Sequence, residues 1–249
     1  MSTHGRPLRE MVPMRVRCEL LDPVVYQGDG MCLDGILSAA WFRDLPYELT
    51  SRWPSASRSD DWVRDLELPL ARWAVPYAGQ CDPRLRDEQG RVWGWCASAV
   101  HADWRLYTRA EVRRRVATDE MTRWTDAADV DIAAGRYKAS DLRLPARMAT
   151  HLEWYALGHV AEVRRVLDAH ITAVGRKVGH GHGRVSRWVV ERMDQDWSVT
   201  RHGRLTRPMP RGYMPGQVQS RGIRPLYWHP SRYISCVVPV ESQLVPEAA

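Results

Sequence analysis

Four glycines within nine residues, Gly175, Gly179, Gly181 and Gly183 in GRKVGHGHGR, constrain this chain more than any other stretch. A glycine lacks Cβ, so it permits positive φ and lets a second backbone approach closely, at roughly 0.5–1 kcal/mol relative to alanine in regular structure. Four of them together imply a tight connection with a geometric requirement. The preceding stretch, 158–174, carries the most regular helical pattern of the chain. Val160, Val163, Val166, Leu167, Ile171 and Val174 form one apolar stripe. Glu162 with Arg165 and Arg164 with Asp168 are spaced for ion pairs along it. The following SRWVVER, 186–192, has the composition of a strand. The spacing therefore predicts helix, glycine-rich loop 175–184, strand.

The rest of the chain alternates in the same way. Residues 14–26 (MRVRCELLDPVVY) read as a first strand, with Met14, Val16 and Cys18 alternating. After Gly28-Asp29-Gly30, Leu33, Ile36, Leu37, Ala40, Trp41 and Leu45 fall at helical spacing; Asp34 suits the helix start and Pro46 ends it. A polar loop at 50–65, strands at 66–77 and 92–106, and a short exposed helix at 108–124 are expected next. Residues 129–152 read as an inserted β-hairpin around Gly135 and Ser140-Asp141, and 233–240 as a final strand. We read 1–249 as a single α+β domain with a hairpin insertion at 129–152 and a basic loop at 201–224.

Charge narrows the function. The formal net charge is +6, and only Lys138 and Lys177 of the 36 cationic side chains are lysines. Twelve tryptophans and nine tyrosines stand against the single Phe42. G+C-rich coding accounts for much of this bias, so position matters more than amount. Cations gather in three places: Arg136, Lys138, Arg143 and Arg147 in the hairpin, Arg176, Lys177 and Arg184 around the glycines, and six arginines in 201–224, including Arg207 and Arg211. No Asp or Glu occurs from Thr200 to Val240, where Tyr213, Tyr227 and Trp228 are interleaved. Arginine forks and aromatic faces suit phosphates and unpaired bases. Each of the three stretches also reads as an ordinary solvated loop.

Several classes are not indicated. No apolar window approaches the roughly 20 residues of a membrane span, and neither a phosphate-loop, H-E-x-x-H nor G-x-S-x-G motif occurs. The five scattered cysteines lack a C-x-x-C pair and read as reduced thiols of a cytoplasmic protein. In the loop, backbone amides freed of Cβ crowding can form an anion-binding nest beside Gly175, Gly179, Gly181 and Gly183. His180 and His182 could hydrogen-bond phosphate or move a proton in metal-independent RNA cleavage. H-x-H lacks an evident third metal ligand nearby, so neither a metal nor a cofactor is expected.

The order strand, helix, strands, excursion, helix, glycine-rich loop, strand resembles the RAMP superfamily of CRISPR proteins. VGRKVGHGHGRV stands where that superfamily has its RNA-contacting loop, and LDGILSAAW at 33–41 is similar to the opening helix of a type IV subunit related to the guide-capping family. The resemblance implies a ferredoxin-like, RRM-related fold with a thumb-like hairpin, at 129–152 here. It implies a non-catalytic subunit that caps the five-prime handle of the guide RNA (crRNA) within a ribonucleoprotein. Its neighbours would be the backbone subunit and the large subunit, with target DNA near the handle end left open. The alternatives are a repeat-processing endoribonuclease using His180 or His182, and a DNA-binding or viral accessory protein of similar composition.

Overall fold

The computed structural model describes residues 10–25, 30–45, 65–114 and 140–239. Strands β1 (Val12–Leu20) and β2 (Val24–Val25) are followed by helix α1 (Leu33–Asp44). Then come β3 (Arg72–Val75), β4 (Val92–Trp95), β5 (His101–Ala102), β6 (Leu106–Arg114), β7 (Ser140–Met148) and β8 (His151–Gly158). Helix α2 (Val160–His170) leads to β9 (Val185–Arg192). Short strands β10 (Thr200–Arg201), β11 (Arg204–Leu205), β12 (Met209–Pro210), β13 (Val218–Gly222) and β14 (Tyr233–Val237) complete the series. The architecture is mixed α and β, with antiparallel sheets and two α-helices among the described residues.

Alternation in the sequence explains the main sheet. Met14, Val16 and Cys18 are fully buried at period two, and Leu152, Trp154 and Ala156 answer them across β8. The sheet order is β5-β8-β1-β9, with every neighbouring pair antiparallel. The first half runs β1–α1–β5, with the β3–β4 hairpin inserted, and the second runs β8–α2–β9. The opening strands of the two halves, β1 and β8, thus lie side by side.

Both helices contribute to the core over this sheet: Leu33, Leu37 and Ala40 from α1, and Val163, Val166 and Leu167 from α2. Burying each of these leucines and valines stabilises by about 1.5–3 kcal/mol. Two of the buried indoles of this core are hydrogen-bonded, Trp154 Nε1 to the Met31 carbonyl at 2.8 Å and Trp188 Nε1 to that of Ile171 at 2.9 Å. At the helix ends Asp44 accepts from Arg165 at 2.7 and 3.0 Å and lies 2.9 Å from His170 Nε2. The Arg165 hydrogen bonds hold the Asp44 carboxyl well below the usual carboxylate range.

A second core joins the β3–β4 hairpin to a three-stranded sheet of order β12-β14-β13. Trp73, Leu85, Val92, Leu205, Met209, Ile223 and Ile234 fill it, and Leu157 packs on it from the main sheet. A third, small cluster belongs to the sheet β2-β7-β6.

Some boundaries differ from the sequence reading. Thr108–Arg114 is strand, not helix: the charge run RAEVRRR mimics helical pairing, but Ala110 and Val112 are buried at period two. Among the described residues the hairpin arms are β6 and β7, and His151 and Leu152 of the expected insertion belong to the main sheet. Positions 129–139 of that expected insertion lie outside the described residues. The expected strand 92–106 is interrupted after Trp95, and the strand at 66–77 is shortened to Arg72–Val75. The basic stretch 201–224 is no plain loop, because it contributes four short strands to the second core's surroundings.

Candidate nucleic-acid interface

The loop that follows α2 is pinned at both ends and open at its tip. Gly175 has φ +93°, and a Cβ there would lie 2.6 Å from Val24 Cγ1 and 2.8 Å from the Val25 carbonyl oxygen. Arg176 N–H donates to that same oxygen at 2.8 Å. At the other end Gly183, at φ +66°, donates to the Pro23 carbonyl at 3.0 Å and accepts from Val174 N–H at 2.8 Å; its Cβ would fall 2.0 Å from the Val174 oxygen. Between the pins a short 3-10 turn, Val178–His180, follows Lys177 at φ 59°, and Gly179 and Gly181 face open space. Arg176, Lys177 and His180 are exposed and His182 is half-buried.

Two expectations change here. The amides of Arg176, His180, Gly181 and Gly183 donate to protein carbonyls, so those four cannot build an anion nest. Attraction for an anion rests on the cations instead. Arg184 is neutralised: its guanidinium grips Asp22 through Nε at 2.5 Å and Nη2 at 3.1 Å. That hydrogen-bonded fork holds the Asp22 carboxyl below its ordinary range.

Strand β2 then ties the loop to the hairpin. Val24 pairs with Arg147 and Val25 with Ala146, so the two residues that receive Gly175 and Arg176 also hold β7. The β6–β7 register places Tyr107, Arg109, Glu111 and Arg113 on one face with Arg147, Pro145, Arg143 and Asp141. The other face turns Ala110, Leu144 and Ala146 towards Val25. On the polar face the Arg147 guanidinium lies 4.8 Å from the Tyr107 ring centre and 5.6 Å from that of Trp104, within cation–π reach. Arg143 is 3.8 Å from Glu111, whereas exposed Arg109 makes no ion pair among the described residues. A cleft of about 450 Å³ over this face is lined by Tyr107, Arg109, Arg143 and Pro145 among others. Tyr107 and Arg109 were not among the sequence candidates; the alternation of 107, 109, 111 and 113 against 108, 110 and 112 was the available signal.

Of the remaining candidates, Arg136 and Lys138 lie outside the described residues, and Arg211 is exposed. Arg207 is corrected outright: it is fully buried and unavailable to a phosphate. Its guanidinium donates to the carbonyls of Trp95, Ala97 (2.8 Å) and Ile223 (2.7 Å) and lies 3.6 Å from Asp34. Tyr227 donates to Asp34 at 2.7 Å, so this tyrosine too serves the interior. Burial raises the Asp34 carboxyl, with Arg207 opposing the shift. Arg224 and Arg232 share Asp65, Arg224 through two bonds of 2.9 and 2.8 Å. Burial pulls the Arg224 guanidinium down to about 10. Among the described residues no group of three or more His, Cys, Asp or Glu side chains is placed to hold a metal ion, and no helix is long and apolar enough to cross a membrane.

Fold and site together define an α+β protein whose glycine-pinned basic loop and arginine-bearing hairpin share one anchoring strand. The family model described as CRISPR type IV associated protein Csf3 matches residues 12–239, and the chain belongs to that family. Its placement in a type IV CRISPR family is consistent with the RAMP resemblance. Among curated proteins, none matches the chain.

Proposed function

We propose that this chain is a guide-RNA-binding subunit of a type IV CRISPR ribonucleoprotein, gripping the five-prime handle without cleaving it. The observation that supports this most directly is the double use of Val24 and Val25. Those residues anchor both the loop that carries Arg176 and Lys177 and the strand β7 that carries Arg143 and Arg147. A polyanion that passes both elements meets charge from each, with the exposed Tyr107 ring on the hairpin available for a base. The sheet order β5-β8-β1-β9 under two helices supports a ferredoxin-like, RRM-related reading, and the β6–β7 hairpin takes the place of its thumb. The backbone and large subunits of the complex are the expected protein neighbours, and cytoplasmic residence follows from this role.

The test is to purify the assembled complex and sequence its RNA. The proposal expects one guide-sized population whose handle is protected from nuclease by this subunit. Recovery of heterogeneous RNA, or a handle equally protected when the subunit is omitted, contradicts it.

A further inference from the structure

We propose that the outward face of the β12-β14-β13 sheet is a second docking surface, for a short single-stranded RNA segment. The register builds it. Pro210 pairs with Cys236, so the next residue, Arg211, comes opposite Ser235 and donates its N–H to that carbonyl at 2.9 Å. Ser235 pairs in turn with Ser220. Arg211, Ser235 and Ser220 thus stand on one rung, with strands about 5 Å apart, and all three are exposed. Tyr233, two residues along β14 on the same face, is 42% exposed. The alternate residues Ile234 and Cys236 turn inward to the second core.

Charge complementarity selects the occupant. The sequence holds no Asp or Glu between Thr200 and Val240. The acids that neutralise this region, Asp34 and Asp65, are engaged with the buried Arg207, Arg224 and Arg232. Arg211 forms no ion pair among the described residues. An unneutralised guanidinium suits a phosphate, and an exposed tyrosine ring suits an unstacked base. Two serine hydroxyls beside the cation can each donate and accept, which matches the ribose 2′-hydroxyl and assigns RNA over DNA. This surface belongs to a different sheet and a different core from the loop and hairpin, so it stands if the reading of those elements fails.

The experiment measures anisotropy of a labelled ten-nucleotide oligouridylate RNA and of the matching DNA on the full chain, both wild-type and carrying Arg176→Ala with Lys177→Ala. In each background, adding Arg211→Ala and Tyr233→Ala is expected to weaken RNA binding at least about fivefold. It should also flatten the dependence of log affinity on log salt by about 0.7. Tyr233→Phe should keep the affinity, because the ring remains. Arg211→Gln, which changes only an exposed side chain, should reproduce the salt effect if the double variant does not fold. Unchanged affinity and slope, loss in Tyr233→Phe equal to that in Tyr233→Ala, or equal binding of DNA and RNA overturns the proposal.

Discussion

Replacing Gly183 by alanine tests whether the loop is held by its glycines or merely tolerates them. Two costs add. At φ +66° a side chain enters the left-handed region, which costs roughly 1–2 kcal/mol. The new Cβ would also lie 2.0 Å from the Val174 carbonyl oxygen, a backbone atom that cannot swing aside. Relief of that clash stretches the Val174–Gly183 and Gly183–Pro23 hydrogen bonds, now 2.8 and 3.0 Å, each contributing about 0.5–1.5 kcal/mol. The expected loss is therefore about 2–5 kcal/mol, a large part of a typical domain stability of roughly 5–15 kcal/mol. Gly181→Ala is the internal control. It has φ +83° but open space around it, so only the conformational cost of about 1–2 kcal/mol applies. Urea unfolding of both variants, at unchanged slope against denaturant, reads the difference. Equal losses in the two variants would refute the anchoring role of Gly183.

Three further outcomes follow from particular side chains. Arg207→Ala leaves Asp34 buried without its cation and should cost about 3–5 kcal/mol in the same unfolding assay; a stable variant that had simply lost RNA affinity would contradict the interior role. Burial, reinforced by Arg201, pushes His101 down to about 4. The unfolded chain therefore takes up this proton first, and its contribution, at most about 3 kcal/mol, is complete above pH 6.5 and declines as pH falls towards 4. His101→Gln should flatten that part of the stability profile, and an unchanged profile would count against the assignment. Metal-free incubation with labelled repeat RNA should leave it intact, whereas cleavage abolished by His180→Ala would make the chain a nuclease.

Much of the fold was legible because burial and periodicity agree. Met14, Val16 and Cys18, and the stripe through Val163, Val166 and Leu167, announce their elements by spacing alone. The errors arose where charge hid periodicity. In β6 the arginines at 109 and 113 read as a helical surface, and only the buried partners Ala110 and Val112 reveal a strand. The basic stretch misled for a different reason: an arginine looks the same in sequence whether it faces solvent or lies against a distant carboxylate. Asp34 and Asp65 stand far from Arg207 and Arg224 along the chain, so those buried pairs could not be read locally. The position of the loop between α2 and β9 is legible from spacing, whereas its division into anchoring Gly175 and Gly183 and open Gly179 and Gly181 depends on Val24, Val25 and Val174. No local pattern contains that contact.

The central claim, that the loop and the hairpin both supply phosphate contacts, is tested most directly by salt titration of handle RNA binding. Wild-type protein is compared with Arg176→Ala/Lys177→Ala and with Arg109→Ala. Each lost phosphate contact on a single strand reduces the slope of log affinity against log salt by about 0.7. The account predicts a reduction near 1.4 for the loop pair, near 0.7 for Arg109, and weaker binding in both. An unchanged slope in both variants would contradict it.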